Sequence, residues 1–187
     1  FFFTGLVFIW AMTLEIPSIE GFETRRVSES TKIYDRTGQV LLYDVHGNVQ
    51  RTTIPLDEVS RHLKNATIAI EDTEFYQHRG VKLDAIARAF LANIKERDAS
   101  QGGSTITQQV IKNTLLSREK TLTRKIKEAF LALKLEREFS KDKILEIYLN
   151  ETSYGGTLYG IEEASRHYFA KSAKDLELPE AAYLAAL

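Results

Sequence analysis

The sequence predicts a mainly α-helical fold with a small β-structure towards its N-terminal end. Three observations support this prediction. Only three prolines and ten glycines interrupt 187 residues, apolar residues recur at spacings of three and four through most of the chain, and strand-like segments between turn residues are confined to residues 31–54. A chain of this length with 43% hydrophobic residues can form one domain with its own core.

Composition and charge exclude several classes of protein. The chain has no cysteine, which excludes disulfide bonds, thiolate catalysis and cysteine-bound zinc or iron–sulfur sites. The absence of cysteine does not indicate whether the protein lies inside or outside the cytoplasm. A net charge of -1 argues against a globally basic nucleic-acid binder. The charge is uneven, because residues 104–143 carry ten basic and five acidic residues. That basic stretch is either a solvated helix face or a site for an anion such as phosphate.

The first element is an apolar segment with no charge before Glu15. As a helix, residues 1–14 would span about 21 Å, which is less than the ~30 Å hydrocarbon layer of a membrane. We interpret residues 1–16 as the outer part of an N-terminal transmembrane helix, with Trp10 at the interface. The alternative is a buried core helix.

Residues 17–54 are expected to form a connector and a small β-meander of two or three strands. Strand signals at 31–34, 40–43 and 49–54 are separated by turn signals that contain Gly38 and Gly47. So small a sheet does not hold together alone, so it is expected to pack against another part of the chain.

From Pro55 onward the spacing of apolar residues predicts helices. They are expected at 56–70, 83–94, 105–116, 121–138, from 141 after a capping Ser140, at 161–169, and finally with Pro179 in the first turn. In the helix at 121–138, the spacing places Leu122, Ile126, Ala129 and Leu133 on one face. The polar segment 95–103, which ends in two glycines, is expected to be a mobile loop.

A first motif places two carboxylates, Glu71 and Asp72, directly after the apolar run 68–70, followed by Phe75, His78 and Gly80. Apolar surroundings raise the pKa of a carboxyl group, which suits a general base or acid. The alternative is an ordinary helix end at the surface, with His78 as a hydrogen-bonded structural histidine.

A second motif combines Gly102 and Gly103 with a Ser104-Thr105 pair that begins a helix. Free backbone amides at such a helix start suit an anion. Four polar residues follow at helical spacing and form two neighbouring rows: Gln108, Gln109, Lys112 and Asn113. The alternative is an ordinary capped helix with a polar outer face.

A third motif runs from Lys120 through Arg124 and Lys125 to Glu128. Arg124 and Glu128 are four residues apart, so a simple surface ion pair is the alternative here. The three motifs together supply two separated carboxylates, several cations and a glycine-rich helix start. Such a set suits displacement of a phosphate-type leaving group by an activated hydroxyl.

These motifs resemble the peptidoglycan glycosyltransferase family, which comprises the transglycosylase domain of class A penicillin-binding proteins and the monofunctional transglycosylases. The resemblance extends from about Ile54 to Leu187. It is carried by the three motifs and by a later one, Ile144-Leu145-x-x-Tyr148-Leu149-Asn150 followed by Gly160-Ile161, with Tyr168-Phe169-Ala170-Lys171 also fitting.

The resemblance implies a lysozyme-like helical domain over residues 55–187, whose C-terminal part would continue beyond Leu187, with a membrane-embedded subdomain. It implies polymerisation of lipid II at the outer side of the bacterial cytoplasmic membrane, with undecaprenyl diphosphate as the leaving group. The implied partners are lipid II, the growing lipid-linked glycan, the membrane and other cell-wall synthesis proteins, with no nucleic acid.

The resemblance also implies roles for residues. Glu71 takes the general-base position, and Glu128 takes the position of a second glutamate that organises cations, or a divalent ion such as Mg²⁺, near the diphosphate; no organic cofactor is expected. Binding of substrate or diphosphate is implied for Arg88, Ser104, Gln108, Gln109, Lys112, Asn113, Lys120, Arg124 and Lys125. Structural roles within the motifs are implied for Asp72, Phe75, His78, Gly80, Gly102 and Gly103.

Three features depart from the usual family pattern. Lys120 stands where many members have arginine, and lysine keeps the charge but loses bidentate phosphate contact. Ala170 stands where glycine is usual, and residues 151–156 differ from the commoner hydrophobic version. Two other hypotheses remain open. One is a lysozyme-like hydrolase, which also uses acidic catalysis but needs no phosphate site. The other is a non-catalytic, membrane-anchored binding module.

Overall fold

The computed structural model describes residues 31–39, 41–45, 50–82, 103–116 and 121–187. They fall into two compact units. The central unit contains the described residues of 78–140, and the terminal unit contains those of 31–77 together with 141–187.

The described residues are mainly helical, as predicted. The strands are β1 (Thr31–Tyr34), β2 (Leu41–Val45), β3 (Gln50–Arg51) and β4 (Leu158–Tyr159). The helices are α1 (Arg61–Glu71), α2 (Ile106–Thr114), α3 (Leu122–Glu138), α4 (Lys141–Glu151), α5 (Ile161–Phe169) and α6 (Leu178–Ala185), with short 3-10 helices at Leu56–Glu58 and Ala173–Asp175.

Three predicted elements lie outside the described residues: the transmembrane segment 1–16, the helix at 83–94 and most of the loop at 95–103. Among the helices of the described ranges, none combines the length and the apolar character that a membrane crossing requires.

The predicted meander is in fact a two-stranded hairpin and a separate strand pair. Strand β1 pairs antiparallel with β2, whereas β3 pairs in parallel with β4. At the start of β3, the backbone N–H of Gln50 donates to the carbonyl of Thr157, the residue before β4, at 2.8 Å. The third strand therefore pairs with β4 and not with the hairpin. Of the two or three strands predicted for the meander, two form the hairpin, and the strand predicted at 49–54 is present as β3 but pairs with β4.

Asn150, the last residue of the Tyr-Leu-Asn motif, holds the chain between β3 and α1. Its amide oxygen accepts from the backbone N–H of Ile54 at 3.0 Å, and its amide nitrogen donates to the carbonyl of Ile54 at 2.8 Å. The side chain thus pairs with a backbone as a neighbouring strand would. Nearby, Glu146 accepts from the backbone N–H of Leu56 at 3.0 Å.

The core of the terminal unit is formed by α1, α4, α5 and α6. Its fully buried apolar side chains include Leu63, Phe75, Ile144, Leu145, Leu149, Ile161 and Leu184. Two buried glutamates on α5 have partners in the described chain. Glu163 accepts hydrogen bonds from Lys32 and Thr52, and Glu162 accepts the backbone N–H of Ala173 at 2.8 Å. These contacts attach the N-terminal hairpin and the last 3-10 helix to α5.

In the described part of the central unit, α2 packs against α3. Its buried apolar residues are Ile106, Val110, Ile111, Leu131, Ala132 and Leu135. The predicted register of α3 does not mark the buried face, because Leu133 is 39% exposed and Ile126 is half-buried. The helix has two apolar stripes, and the one that contains Leu131 and Leu135 is buried.

Helix α5 ends at Ala170 in the left-handed conformation, with φ 54° and ψ 29°. A side chain with a Cβ is strained in this conformation, so glycine fits the position better than alanine. Ala170→Gly relieves the strain but makes the unfolded chain more flexible. The net effect is expected to be a free energy of unfolding higher by about 0.5–1 kcal/mol. Denaturant unfolding measures the change.

Ala186→Gly is the matched control, because Ala186 also follows a helix end but has φ -92°. Glycine at that position is expected to leave stability unchanged or lower it by up to about 1 kcal/mol. An Ala170→Gly protein no more stable than the parent would contradict the assigned strain.

Candidate functional site

Glu71 is the last residue of α1, and the turn after it is fixed by buried groups. Asp72 ends the helix and is itself buried, and its backbone carbonyl accepts from the N–H of Phe75 at 2.9 Å. The ring of Phe75 is completely buried, with the ammonium of Lys141 4.6 Å from its centroid. The first motif therefore holds a half-buried Glu71 at the end of a rigid helix.

Two buried tyrosines lie within electrostatic reach of Glu71. Burial, with a further contribution from the Glu71 carboxylate, raises the pKa of Tyr148 to about 12. Burial, with smaller contributions from Tyr148 and Glu71, raises the pKa of Tyr154 well above its usual value. Both phenols therefore stay protonated at neutral pH. The surroundings of Glu71 on this side are low in solvent and contain neutral hydroxyl groups.

The raised pKa of Tyr148 predicts a stability change at high pH. Its phenol ionises near pH 10 when unfolded and near 12 when folded. The stability that depends on the protonated phenol is complete below pH 10 and is lost as the pH rises to about 12. In denaturant titrations, Tyr148→Phe should therefore lose less stability than the parent between pH 10 and 12. The difference in free energy of unfolding between Tyr148→Phe and the parent at pH 7 gives the cost of removing the hydroxyl alone. If the stabilities of the two proteins fall in parallel between pH 10 and 12, the prediction is contradicted.

The end of the first motif is joined to the start of the second inside the central unit. The backbone N–H of Gly80 donates to Nδ1 of His78 at 3.1 Å, so this nitrogen is an acceptor. The hydroxyl of Thr105 donates to the carbonyl of Gly80 at 2.6 Å. Gly80 has φ +86°, and a Cβ on it would lie 2.7 Å from the backbone oxygen of Ala132. These contacts connect the first motif to the start of α2, and the structural roles that the resemblance implies for His78 and Gly80 stay predictions.

Gly80→Ala combines a forbidden backbone conformation with a backbone clash. It is expected to destabilise the protein by at least about 2 kcal/mol, measured by denaturant unfolding. Gly38→Ala is the control, because Gly38 has φ +73° but no atom within 4 Å of the added carbon. That variant should lose only the conformational part, about 1 kcal/mol. Equal losses in the two variants would show that the contact with α3 does not matter.

Helix α2 begins with a capping box. The hydroxyl of Thr105 accepts from the N–H of Gln108 at 3.1 Å, and the side-chain oxygen of Gln108 accepts from the N–H of Thr105 at 3.0 Å. Gln108 is buried, so its carbonyl serves the helix start. In the same first turn, the hydroxyl of Thr107 donates to Glu136 of α3 at 2.5 Å. These contacts fix the glycine-rich helix start on α3.

The second and third motifs meet at a charged cluster formed by Ser104, Arg124, Lys125 and Glu128. Glu128 is 1% exposed. One of its oxygens accepts from Arg124 at 2.7 Å and the other from Lys125 at 2.5 Å, and Lys125 also contacts the hydroxyl of Ser104 at 2.7 Å. Two cations around one carboxylate leave the cluster with a charge of +1. Because both are held at the buried carboxylate, they are positioned in advance for an anion.

The other predicted site residues have different environments. Lys112 and Asn113 are exposed on α2, Gln109 is half-buried and Gly103 is exposed. Arg88, Gly102 and Lys120 lie outside the described residues. Glu71 belongs to the terminal unit and Glu128 to the central unit. The sequence predicted Thr105 at the start of a helix but not its bond to Gly80, and it did not indicate Thr107, Tyr154 or the pairing of Asn150. The pattern Thr105-x-x-Gln108 is the signal that could have predicted the capping box.

The described residues around Glu128 do not fit a protein-held divalent ion. Both carboxylate oxygens are occupied by cationic groups, and Mg²⁺ or Ca²⁺ requires several free oxygen ligands. Among the residues that the structure describes, no three His, Asp or Glu side chains are grouped as metal ligands would be.

The comparisons with known proteins agree with the motifs. The family model described as Transglycosylase matches residues 38–187. Penicillin-binding protein 1A of Aquifex aeolicus is 44% identical over 186 residues, covering 99% of this chain and 25% of the relative. Penicillin-binding protein 1A of Clostridium tetani is 43% identical, covering 95% of this chain and 23% of the relative, and penicillin-binding protein 1F of Bacillus subtilis is 42% identical, covering 84% and 22%. The chain thus spans about a quarter of the length of these relatives.

Proposed function

The chain belongs to the transglycosylase family, as its motifs predicted, and we propose that it is the domain of a penicillin-binding protein that polymerises lipid II into β-1,4-linked glycan strands. Its enzyme class is that of a glycosyltransferase. The observation that carries the proposal is the cluster around Glu128, in which Arg124 and Lys125 are held by a buried carboxylate. A hydrolase of sugar chains has no use for such a cluster, whereas a diphosphate leaving group does.

The proposed reaction is an inverting displacement. The 4-hydroxyl of lipid II attacks the anomeric carbon of the lipid-linked glycan, and Glu71 accepts the hydroxyl proton. The new bond joins the hydroxyl oxygen to the anomeric carbon, while the bond from that carbon to the diphosphate oxygen breaks. The electron pair leaves with undecaprenyl diphosphate, whose increased negative charge Arg124 and Lys125 stabilise. No step of this proposal uses a metal ion.

The two glutamates have different requirements in this mechanism. Glu71 must be accessible and able to take up a proton, and it is half-buried at a helix end. Glu128 must stay ionised to hold its two cations, and it is buried between them. The exposed Lys112 and Asn113 and the hydroxyl of Ser104 are proposed contacts of the diphosphate or the sugars. Attachment to the outer face of the bacterial cytoplasmic membrane through residues 1–16 is part of the proposal.

Glu71→Gln should lower glycan formation from lipid II by at least about 100-fold, because the amide cannot take the proton. The product is measured as polymer on a gel, in the full-length protein with its membrane segment, with circular dichroism as the check on folding. Glu58→Gln is the control, since Glu58 is exposed and lies in the same unit. Full activity of Glu71→Gln would refute the assignment of the base.

Glu128→Gln should also lower polymerisation by at least about 100-fold, because Arg124 and Lys125 lose the charge that holds them. Binding of lipid II without turnover in the parent protein would favour the non-catalytic module instead. Release of reducing ends from finished glycan, without lipid II, would favour the hydrolase.

A further inference from the structure

An open pocket of about 340 Å³ lies between the end of α5 and the first turns of α6 in the terminal unit. It is lined by five residues: Tyr168, Phe169, Pro179, Glu180 and Tyr183. Its volume is at the lower end of the range for small-molecule sites, about 300–1,000 Å³. The proposed reaction uses none of these five residues, so the pocket has no role in it.

Three aromatic rings form most of the pocket wall. The ring centroid of Tyr183 lies 5.8 Å from that of Tyr168 and 5.9 Å from that of Phe169, with the ring planes at 66° and 81°. Tyr183 is 51% exposed and Tyr168 is 38% exposed, while α6 supplies the core with Ala181 and Leu184. The exposed parts of the rings are therefore available to a ligand and are not needed for the packing of α6.

The ring of Tyr168 is held in place by its neighbours. Its hydroxyl donates to the backbone carbonyl of Tyr154 at 3.0 Å, and the imidazole of His167 stands edge-on to it, with the ring centroids 5.0 Å apart. The buried phenol of Tyr154 is itself within electrostatic reach of Glu71. One wall of the pocket is therefore fixed before a ligand binds, which lowers the cost of binding.

Glu180 is the charged residue of the pocket wall, and Lys171 pairs with it. The ammonium of Lys171 donates to the carboxylate at 2.7 Å, and this hydrogen bond lowers the pKa of Glu180 and raises the pKa of Lys171. Because the carboxylate is already paired, it offers little to a cationic ligand, and an anion would meet the negative faces of the rings. An uncharged ligand with an apolar face and hydroxyl groups matches the pocket best.

We propose that this pocket binds one saccharide unit of a β-1,4-linked glycan, in addition to the groups that carry out the reaction. The C–H bonds on one face of a pyranose ring carry partial positive charge, so they pack against the negative face of an aromatic ring. The sugar hydroxyls donate to the carboxylate of Glu180 and accept from the ammonium of Lys171. The saccharide class follows from the pocket, whereas the choice of a β-1,4-linked glycan rests on the proposed function.

Binding of chitotetraose, which has four β-1,4-linked N-acetylglucosamine units, tests the proposal. Saturation-transfer difference NMR on the full-length protein, in a detergent without a sugar headgroup, measures magnetisation transfer to the sugar ring protons. Tyr183→Ala should reduce the transfer at least about fivefold, because the exposed ring is lost, whereas Tyr183→Phe keeps the ring and should stay within about twofold of the parent. Tyr34→Ala is the matched control, since Tyr34 is 47% exposed in the same unit, and it should leave the transfer unchanged.

Several outcomes would overturn the proposal. Equal transfer in the parent and in a folded Tyr183→Ala protein, or no transfer in the parent, would refute the site. Equal transfer to maltotetraose, whose glucose units are α-1,4-linked, would refute the choice of glycan. Stronger transfer to tetramethylammonium, lost in Tyr183→Ala, would assign the pocket to a cation. These measurements need neither lipid II nor turnover, so their failure is distinguishable from failure of the proposed reaction.

Discussion

The buried carboxylate of Glu128, paired with Arg124 and Lys125, is the interaction on which the proposed site in the central unit depends. A buried charge is costly unless it is paired and hydrogen-bonded, and here each oxygen has a cationic donor. The same pairing brings two cations to one place, and through Lys125 it connects α3 to Ser104 at the glycine-rich helix start. The contacts that join these parts of the central unit are therefore the ones that the proposed function uses.

Hydrogen bonds and close backbone contacts hold the segments that carry this cluster. The capping box of Thr105 and Gln108 sets the first turn of α2, and Thr105 also holds the carbonyl of Gly80. Because Gly80 itself lies against the backbone of Ala132, the end of the first motif, the start of the second and the middle of α3 are fixed together. Motif residues that do not touch a substrate still set the positions of those that could.

In the terminal unit, Glu71 has a different environment from that of Glu128. The helix end is rigid, and the neighbouring phenols of Tyr148 and Tyr154 are held neutral by burial. Glu71 thus lies within electrostatic reach of two neutral phenols, whereas Glu128 is paired with two cations. The two glutamates therefore have different surroundings, which fits the different roles proposed for them.

The sequence by itself determined the helical class, the bounds of α5, the start of α2 at the Ser104-Thr105 pair, and the family, because these depend on local spacing and on motifs read in order. Tertiary structure decided what local spacing leaves open. Tertiary contacts determine which of the two apolar stripes of α3 is buried, and they pair β3 with β4 instead of with the hairpin. They also place the side chains of Gln108 and Asn150 in hydrogen bonds with the backbone. The physical reason is that periodicity identifies the faces of a helix or strand, whereas the partner that covers each face comes from residues far away in the chain.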